Sequence, residues 1–222
     1  MNNFSCLSEI NPQDYESYNQ RIFLTFDIDW AHDEVIKYTL DLIEASKIQA
    51  TIFITHDTPL IDRMRSNNNL ELGIHPNFNP LLDGTEIKKR TEREVMDEIL
   101  EIVPNAKCLR SHSLTQSERL LDIFSEYGLS HISNTYIPFM ENNILRPWKL
   151  WSDLIITPHF FQDNVELRLR NELSVNNSLG LKIYDFHPIH IFLNSNYYFA
   201  NMASSANLSA ASGSSLRVTK IN

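Results

Sequence analysis

The chain has 222 residues, 42% apolar and 21% charged, a balance that supports one globular unit with a sizeable core and excludes a chain disordered throughout. Nineteen basic against 28 acidic side chains leave a net charge of −9, so neither nucleic acid nor an anionic membrane surface is an expected partner. Apolar runs extend only a few residues, far short of the roughly 20 that span a bilayer, and no secretory leader pattern opens the chain.

Residues 1–20 read as an N-terminal extension. Runs rich in Val, Ile, Phe and Tyr between polar turns predict seven strands, over 21–29, 50–56, 70–76, 106–112, 130–136, 154–159 and 181–187. After the first, residues 33–45 place Val35, Tyr38 and Leu42 on one helical stripe with Ile36, Leu40 and Ile43 beside it, and acids fill the first turn. Thr91 and Glu94 have capping-box spacing before a second helix that Pro104 ends. Thr115 and Glu118 repeat that spacing before a third, with Gly128 suited to the position past its end. Less regular helical patterns occupy 58–66 and 162–173, while 137–153 shows none. Residues 194–222 are rich in Ser, Ala and Asn and read as a tail. The two cysteines, Cys6 and Cys108, make no disulfide framework; with no leader, they point to a reducing, cytoplasmic setting, Cys108 being a buried apolar side chain in a strand.

Alternating strands and helices over 21–193 imply a single α/β domain with a parallel sheet and right-handed crossovers. Seven such strands fit an incomplete or distorted TIM-like (β/α) barrel, or an open doubly wound sheet. In both, ligands bind beyond the carboxyl ends of the strands.

Chemistry gathers at that edge. Of eight histidines, His32, His56, His75, His112, His159, His187 and His190 lie at or just after predicted strand ends, and His131 at a strand start. Histidine is the common neutral metal ligand and the usual acid or base near neutral pH, so this bias suggests a hydrolytic or metal site. The first strand ends Thr25-Phe26-Asp27-Ile28-Asp29, and strand periodicity puts both carboxylates on one side. Such a pair is tolerated when one holds a cation and the other handles a proton. After the third strand, prolines fix a loop bearing His75 and Asn79. At the fourth, Arg110 could order Asp27 through a bidentate pair. At the seventh, three-residue spacing lets only one of His187 and His190 face the pocket, with Pro188 bending His190 toward the rim.

Taken together, these segments resemble a divergent polysaccharide deacetylase of the NodB-homology class. The first motif is the Asp-x-Asp form, Asp27 and Asp29; the second aligns His75 and Asn79 with two metal histidines. The third corresponds to Arg110-Ser111-His112, and the last to His187. The resemblance implies an incomplete (β/α) barrel and a metal-dependent hydrolase that removes an acetyl group from an N-acetylated sugar, an amide C–N bond cleavage. It implies Asp27 as general base, assisted by Arg110, and His187 as general acid, with Asp29 and His75 as ligands of a divalent transition metal, zinc first. Asn79 is a poorer zinc ligand than imidazole, so His112 is the expected third ligand and Asn79 the reserve. The family's Asp-Trp motif has no clear counterpart, although Trp148, Trp151 and Asp153 occupy a comparable stretch. Without a leader, the expected substrate is a nucleotide- or lipid-linked precursor. Two other readings remain: a metal-independent amide or cyclic-imide hydrolase on this fold, and a non-catalytic carbohydrate-binding relative.

Overall fold

The computed structural model describes residues 3–138, 144–169 and 180–193; the proposed tail, and residues 170–173 of the last helical pattern, lie outside them. In chain order come β1 (Phe23–Asp27), α1 (Asp33–Ser46), β2 (Ala50–Ile54), α2 (Ile61–Arg65), β3 (Leu70–Ile74), α3 (Asn79–Leu82), α4 (Glu92–Ile102), β4 (Cys108–Leu109) and α5 (Glu118–Glu126). There follow β5 (His131–Ile132), β6 (Trp148–Lys149), β7 (Ile155–Ile156), β8 (Phe161–Gln162), α6 (Asp163–Leu169), β9 (Ile183–Phe186) and α7 (Pro188–Phe192).

One sheet runs in the order β6-β7-β5-β4-β3-β2-β1-β9-β8, parallel at every pair except β6 with β7. It has nine strands among the described residues, where the sequence pattern predicts seven, and it curls into a half-barrel, the incomplete barrel of the two architectures expected. The difference has a local cause. The expected strand over 154–159 shortens to Ile155–Ile156, which pairs with β5, and just beyond it Phe161–Gln162 forms a further strand that pairs with β9. That run serves both ends of the sheet and draws them toward each other. Trp148–Lys149 folds back antiparallel on β7, a strand too short to leave a period in the sequence.

Side-chain alternation separates the two faces. Leu24 and Phe26 of β1, Ile52 and Ile54 of β2, and Tyr184 and Phe186 of β9 join one cluster with Ile36, Leu40, Met96, Ile99, Leu121 and Phe124 from the helices. On the other face, Phe23, Phe53, Cys108 and Ile183 pack with Leu7, Ile10 and Tyr18 of the N-terminal segment. This segment makes short 3-10 turns at Leu7–Glu9 and Tyr15–Ser17. His131 meets the Ile10 carbonyl at 2.9 Å. The amino ends of the strands are therefore covered by apolar side chains, and polar side chains on the same inner face collect at the carboxyl ends.

The capping box of Thr91 and Glu94 forms as expected. The one predicted for Thr115 does not: Ser117 caps α5, accepting from the Leu120 N–H, and the Thr115 hydroxyl donates instead to Asn79 Oδ1 and the His112 carbonyl, both at 3.2 Å. Ser117 sits where the chain enters the helix, and Thr115 is drawn into the loop beside the candidate site. Gly128 follows α5 with φ of +75°, the left-handed conformation that glycine adopts without strain. No helix among the described residues is long and apolar enough to cross a membrane.

Candidate active site

β1 ends at Asp27, and Asp29 does not continue it as an extended residue: Asp29 and Trp30 have φ of 40° and 55°. The turn carries the Asp29 carboxylate over the strand ends. Its Oδ1 lies 3.2 Å from His75 Nε2, beyond β3, and 3.2 Å from His112 Nδ1, beyond β4. The two imidazole nitrogens are 3.3 Å apart. Burial would raise the Asp29 pKa, but hydrogen bonding to His112, His187 and His75 outweighs it and holds the carboxyl well below its usual range.

These three atoms form a triangle suited to a metal. Ligands about 2.0–2.1 Å from a tetrahedral zinc lie about 3.3–3.4 Å apart, close to the distances given above. Two imidazole nitrogens and a carboxylate oxygen also converge on each other there, a mixed N/O donor set that suits a divalent transition metal. Asn79 stands apart from this triangle: its amide nitrogen donates to Ser113 Oγ at 2.9 Å, and its oxygen accepts from Thr115.

Beneath the triangle lies a buried ionic layer. Arg110 is fully buried, its guanidinium carbon 4.7 Å from the centre of the Phe53 ring. A single nitrogen, Nη1, donates to Asp27 Oδ1 at 2.9 Å, Thr25 Oγ1 at 2.9 Å and Asp185 Oδ1 at 2.5 Å. Nε and Nη2 donate to the Ser133 carbonyl and hydroxyl. Arg110 thus does hold Asp27, but not through the expected bidentate pair, because Asp185 and Ser133 claim the rest of the fork. The other Asp27 oxygen, Oδ2, is 3.6 Å from His75 Nδ1. Burial pushes the Asp185 carboxyl well above its ordinary value against the opposing pull of Arg110.

On the other flank, β9 delivers His187. Its ring Nδ1 is 2.6 Å from Asp163 Oδ1, and its backbone N–H donates to Asp163 Oδ2 at 2.7 Å. Nε2 faces Asp29 Oδ2 at 3.4 Å. Burial alone would lower the His187 pKa, but Asp163 and then Asp29 outweigh it and hold the imidazolium well above the usual histidine value. His190, on α7, turns to the far side of Asp163, with Nδ1 3.2 Å from Oδ2, and is more exposed than His187.

Asp27, Asp29, His75, Arg110, His112 and His187 therefore converge at one end of the sheet. Of the other histidines, His190 meets the site through Asp163, and the rest take other places. His32 caps α1, accepting from the Glu34 N–H; His56 pairs with Thr55 at 2.8 Å; His159 is fully buried, its ring 5.5 Å from that of Tyr136. Two acids of the site were not read from sequence. Asp185 carried a usable signal, standing two residues before His187 and hence on the same strand face. Asp163 opens α6 in the less regular pattern over 162–173, so nothing local pointed to its partnership with a histidine 24 residues on.

A curled, mostly parallel sheet with carboxylates and histidines gathered at its carboxyl end has the build of the polysaccharide deacetylase class. Over residues 24–201 the sequence matches the family model of WbmS-like polysaccharide deacetylases, and the chain belongs to that family. It is 38% identical to a proposed polysaccharide deacetylase involved in O-antigen biosynthesis from Bordetella bronchiseptica, whose crystal structure superposes with a TM-score of 0.82 over 93% of this chain and 86% of that one. A 4-alpha-glucanotransferase from Thermococcus litoralis shares the fold alone, at 8% identity and a TM-score of 0.52, over 85% of this chain and 36% of that one. No curated protein matches the sequence.

Proposed function

We propose that this protein is a metal-dependent deacetylase that cleaves the acetamide of an N-acetylated sugar. The observation that carries this reading is the triangle of Asp29 Oδ1, His75 Nε2 and His112 Nδ1, with His187 Nε2 3.4 Å from the second Asp29 oxygen. Asp29, His75 and His112 would hold the metal, zinc first, and when bound it supplies polarisation of the amide carbonyl and a water acidified toward a pKa of about 7.

The remaining chemistry belongs to the chain. Asp27 is the base that accepts a proton from the attacking water, and Arg110 fixes its carboxylate by occupying Oδ1. His187 is the acid: Asp163 occupies Nδ1, so Nε2 is the nitrogen that delivers a proton to the departing amine. Each transfer is worth roughly 10²- to 10⁴-fold in rate. The role named for the Bordetella relative, O-antigen biosynthesis, supports a glycan precursor as substrate. Two free, buried cysteines fit a reducing, cytoplasmic setting where such precursors are nucleotide- or lipid-linked.

The test is acetate release by the purified protein supplied with a divalent metal. The substrates are a nucleotide-linked N-acetyl sugar, a lipid-linked one, chitin oligomers and peptidoglycan fragments. Acetate should appear with an equal amount of free amine, and faster from the linked sugars than from the polymers. No release from any of them rejects the deacetylase, and faster release from the polymers rejects the substrate assignment.

A further inference from the structure

Trp30 follows Asp29 directly and is 48% exposed. Its ring packs against that of His112 in a T-shaped arrangement, with centroids 5.0 Å apart and planes at 75°. Asp29 and Trp30 form two consecutive residues with positive φ, a conformation that glycine or asparagine adopts easily and a bulky aromatic residue adopts rarely. The turn is held in place: the Trp30 N–H donates to Thr55 Oγ1 at 3.2 Å, and the Ala31 N–H donates to the Ile28 carbonyl at 2.8 Å. The same backbone that swings Asp29 onto His75 and His112 therefore also sets a large, half-exposed indole at the mouth of the site. A buried indole at this point would be explained by packing, and a smaller residue would relieve the backbone; Trp30 is neither buried nor small.

We propose that Trp30 is a specificity-determining residue, the platform against which the sugar ring of the substrate rests while its acetamide faces the triangle of Asp29, His75 and His112. This rests on the deacetylase reading of the site. The apolar C–H face of a pyranose suits the face of an indole, and a single rigid aromatic wall fixes a ring without charge or hydrogen bonds. The platform binds the carbohydrate and not the acyl group, so its contribution is confined to substrates that carry a sugar.

The experiment compares wild type, Trp30→Ala and Trp30→Phe on an N-acetyl sugar and on 4-nitrophenyl acetate, which has the acyl group but no sugar. Trp30→Ala should lower kcat/KM for the sugar at least about tenfold more than for the ester, mainly through KM, and Trp30→Phe should recover most of the loss. Equal losses on both substrates, or no loss on the sugar, overturn the proposal, the first by showing that Trp30 acts only by bracing His112. Calorimetric titration with the methyl glycosides of N-acetylglucosamine and N-acetylgalactosamine reads the contact without turnover. Binding by wild type that Trp30→Ala weakens supports the platform even if no acetate is ever released, an outcome that would sink the deacetylase alone. Equal binding by both proteins, or none by wild type to either glycoside, overturns the platform.

Discussion

His187 and Asp163 are joined twice: the ring Nδ1 lies 2.6 Å from one carboxylate oxygen, and the backbone N–H of His187 donates to the other at 2.7 Å. The first contact selects the ring nitrogen left to face the site, and the second fixes the carboxylate that makes the first. Asp163→Asn should therefore reduce kcat by roughly a hundredfold or more while metal binding persists. Steady-state rates together with metal content check this; a loss below tenfold would contradict the assignment.

The same pair predicts a pH-dependent stability. The raised pKa of His187 adds stability that is complete below its ordinary value of 6.5 and is lost as pH rises through its folded value. The lowered pKa of Asp163, where burial opposes and the two histidine contacts prevail, adds stability that is complete above about pH 4 and is lost as pH falls through its folded value. In chelator-treated protein, the difference in urea unfolding free energy between wild type and Asp163→Asn should be larger at about pH 5.5 than at about pH 9. A difference that does not change with pH would refute the linkage.

Arg110 stands between two buried carboxylates, Asp27 and Asp185. Arg110→Ala removes the cation that both buried carboxylates share, at a cost of about 3–5 kcal/mol in stability. Arg110→Lys should also destabilise, since one ammonium cannot reproduce the separate bonds to Ser133. Urea denaturation measures both, and a loss under about 1 kcal/mol for Arg110→Ala would mean that the guanidinium does not hold this layer together.

Gly73 admits no side chain: a Cβ there would lie 2.7 Å from ring carbons of Phe53 and 2.9 Å from the Cys108 carbonyl. Gly73→Ala should cost about 1–3 kcal/mol and weaken metal binding, because β3 must shift and His75 lies just beyond it. Wild-type stability and affinity in this variant would count against the packing described.

His112 and Asn79 make different predictions for metal binding. His112→Ala should weaken zinc affinity at least about tenfold, and Asn79→Ala should change it far less, since the Asn79 side chain is bonded to Ser113 and Thr115. Competition with a zinc-binding dye ranks the two, and the reverse order would move the third ligand to Asn79.

Much of this site was legible because its residues sit at strand ends, where apolar runs stop abruptly at charged or imidazole side chains: Asp27, His75, Arg110 and His187 follow that rule. Asp29 was legible as a type of residue but not as a geometry, since strand periodicity cannot show a turn with positive φ. The role of Asp163 rests on a contact between distant segments, and no local pattern encodes it. The strand count failed for a related reason. β6 and β8 each comprise two residues, held by neighbours and not by any period of their own. Thr115 matched a helix cap in spacing, yet Ser117 stood nearer the first turn and took that role.

The most direct test of the central claim sets metal content beside acetate release for Asp27→Asn. Asp27 bonds to Arg110 and is not one of the three atoms that converge on the proposed metal position, so base and ligands separate in a single variant. The account predicts about one bound metal per chain, as in wild type, with acetate release from the N-acetyl sugar reduced to background. Release at the wild-type rate by a metal-loaded Asp27→Asn protein would contradict it.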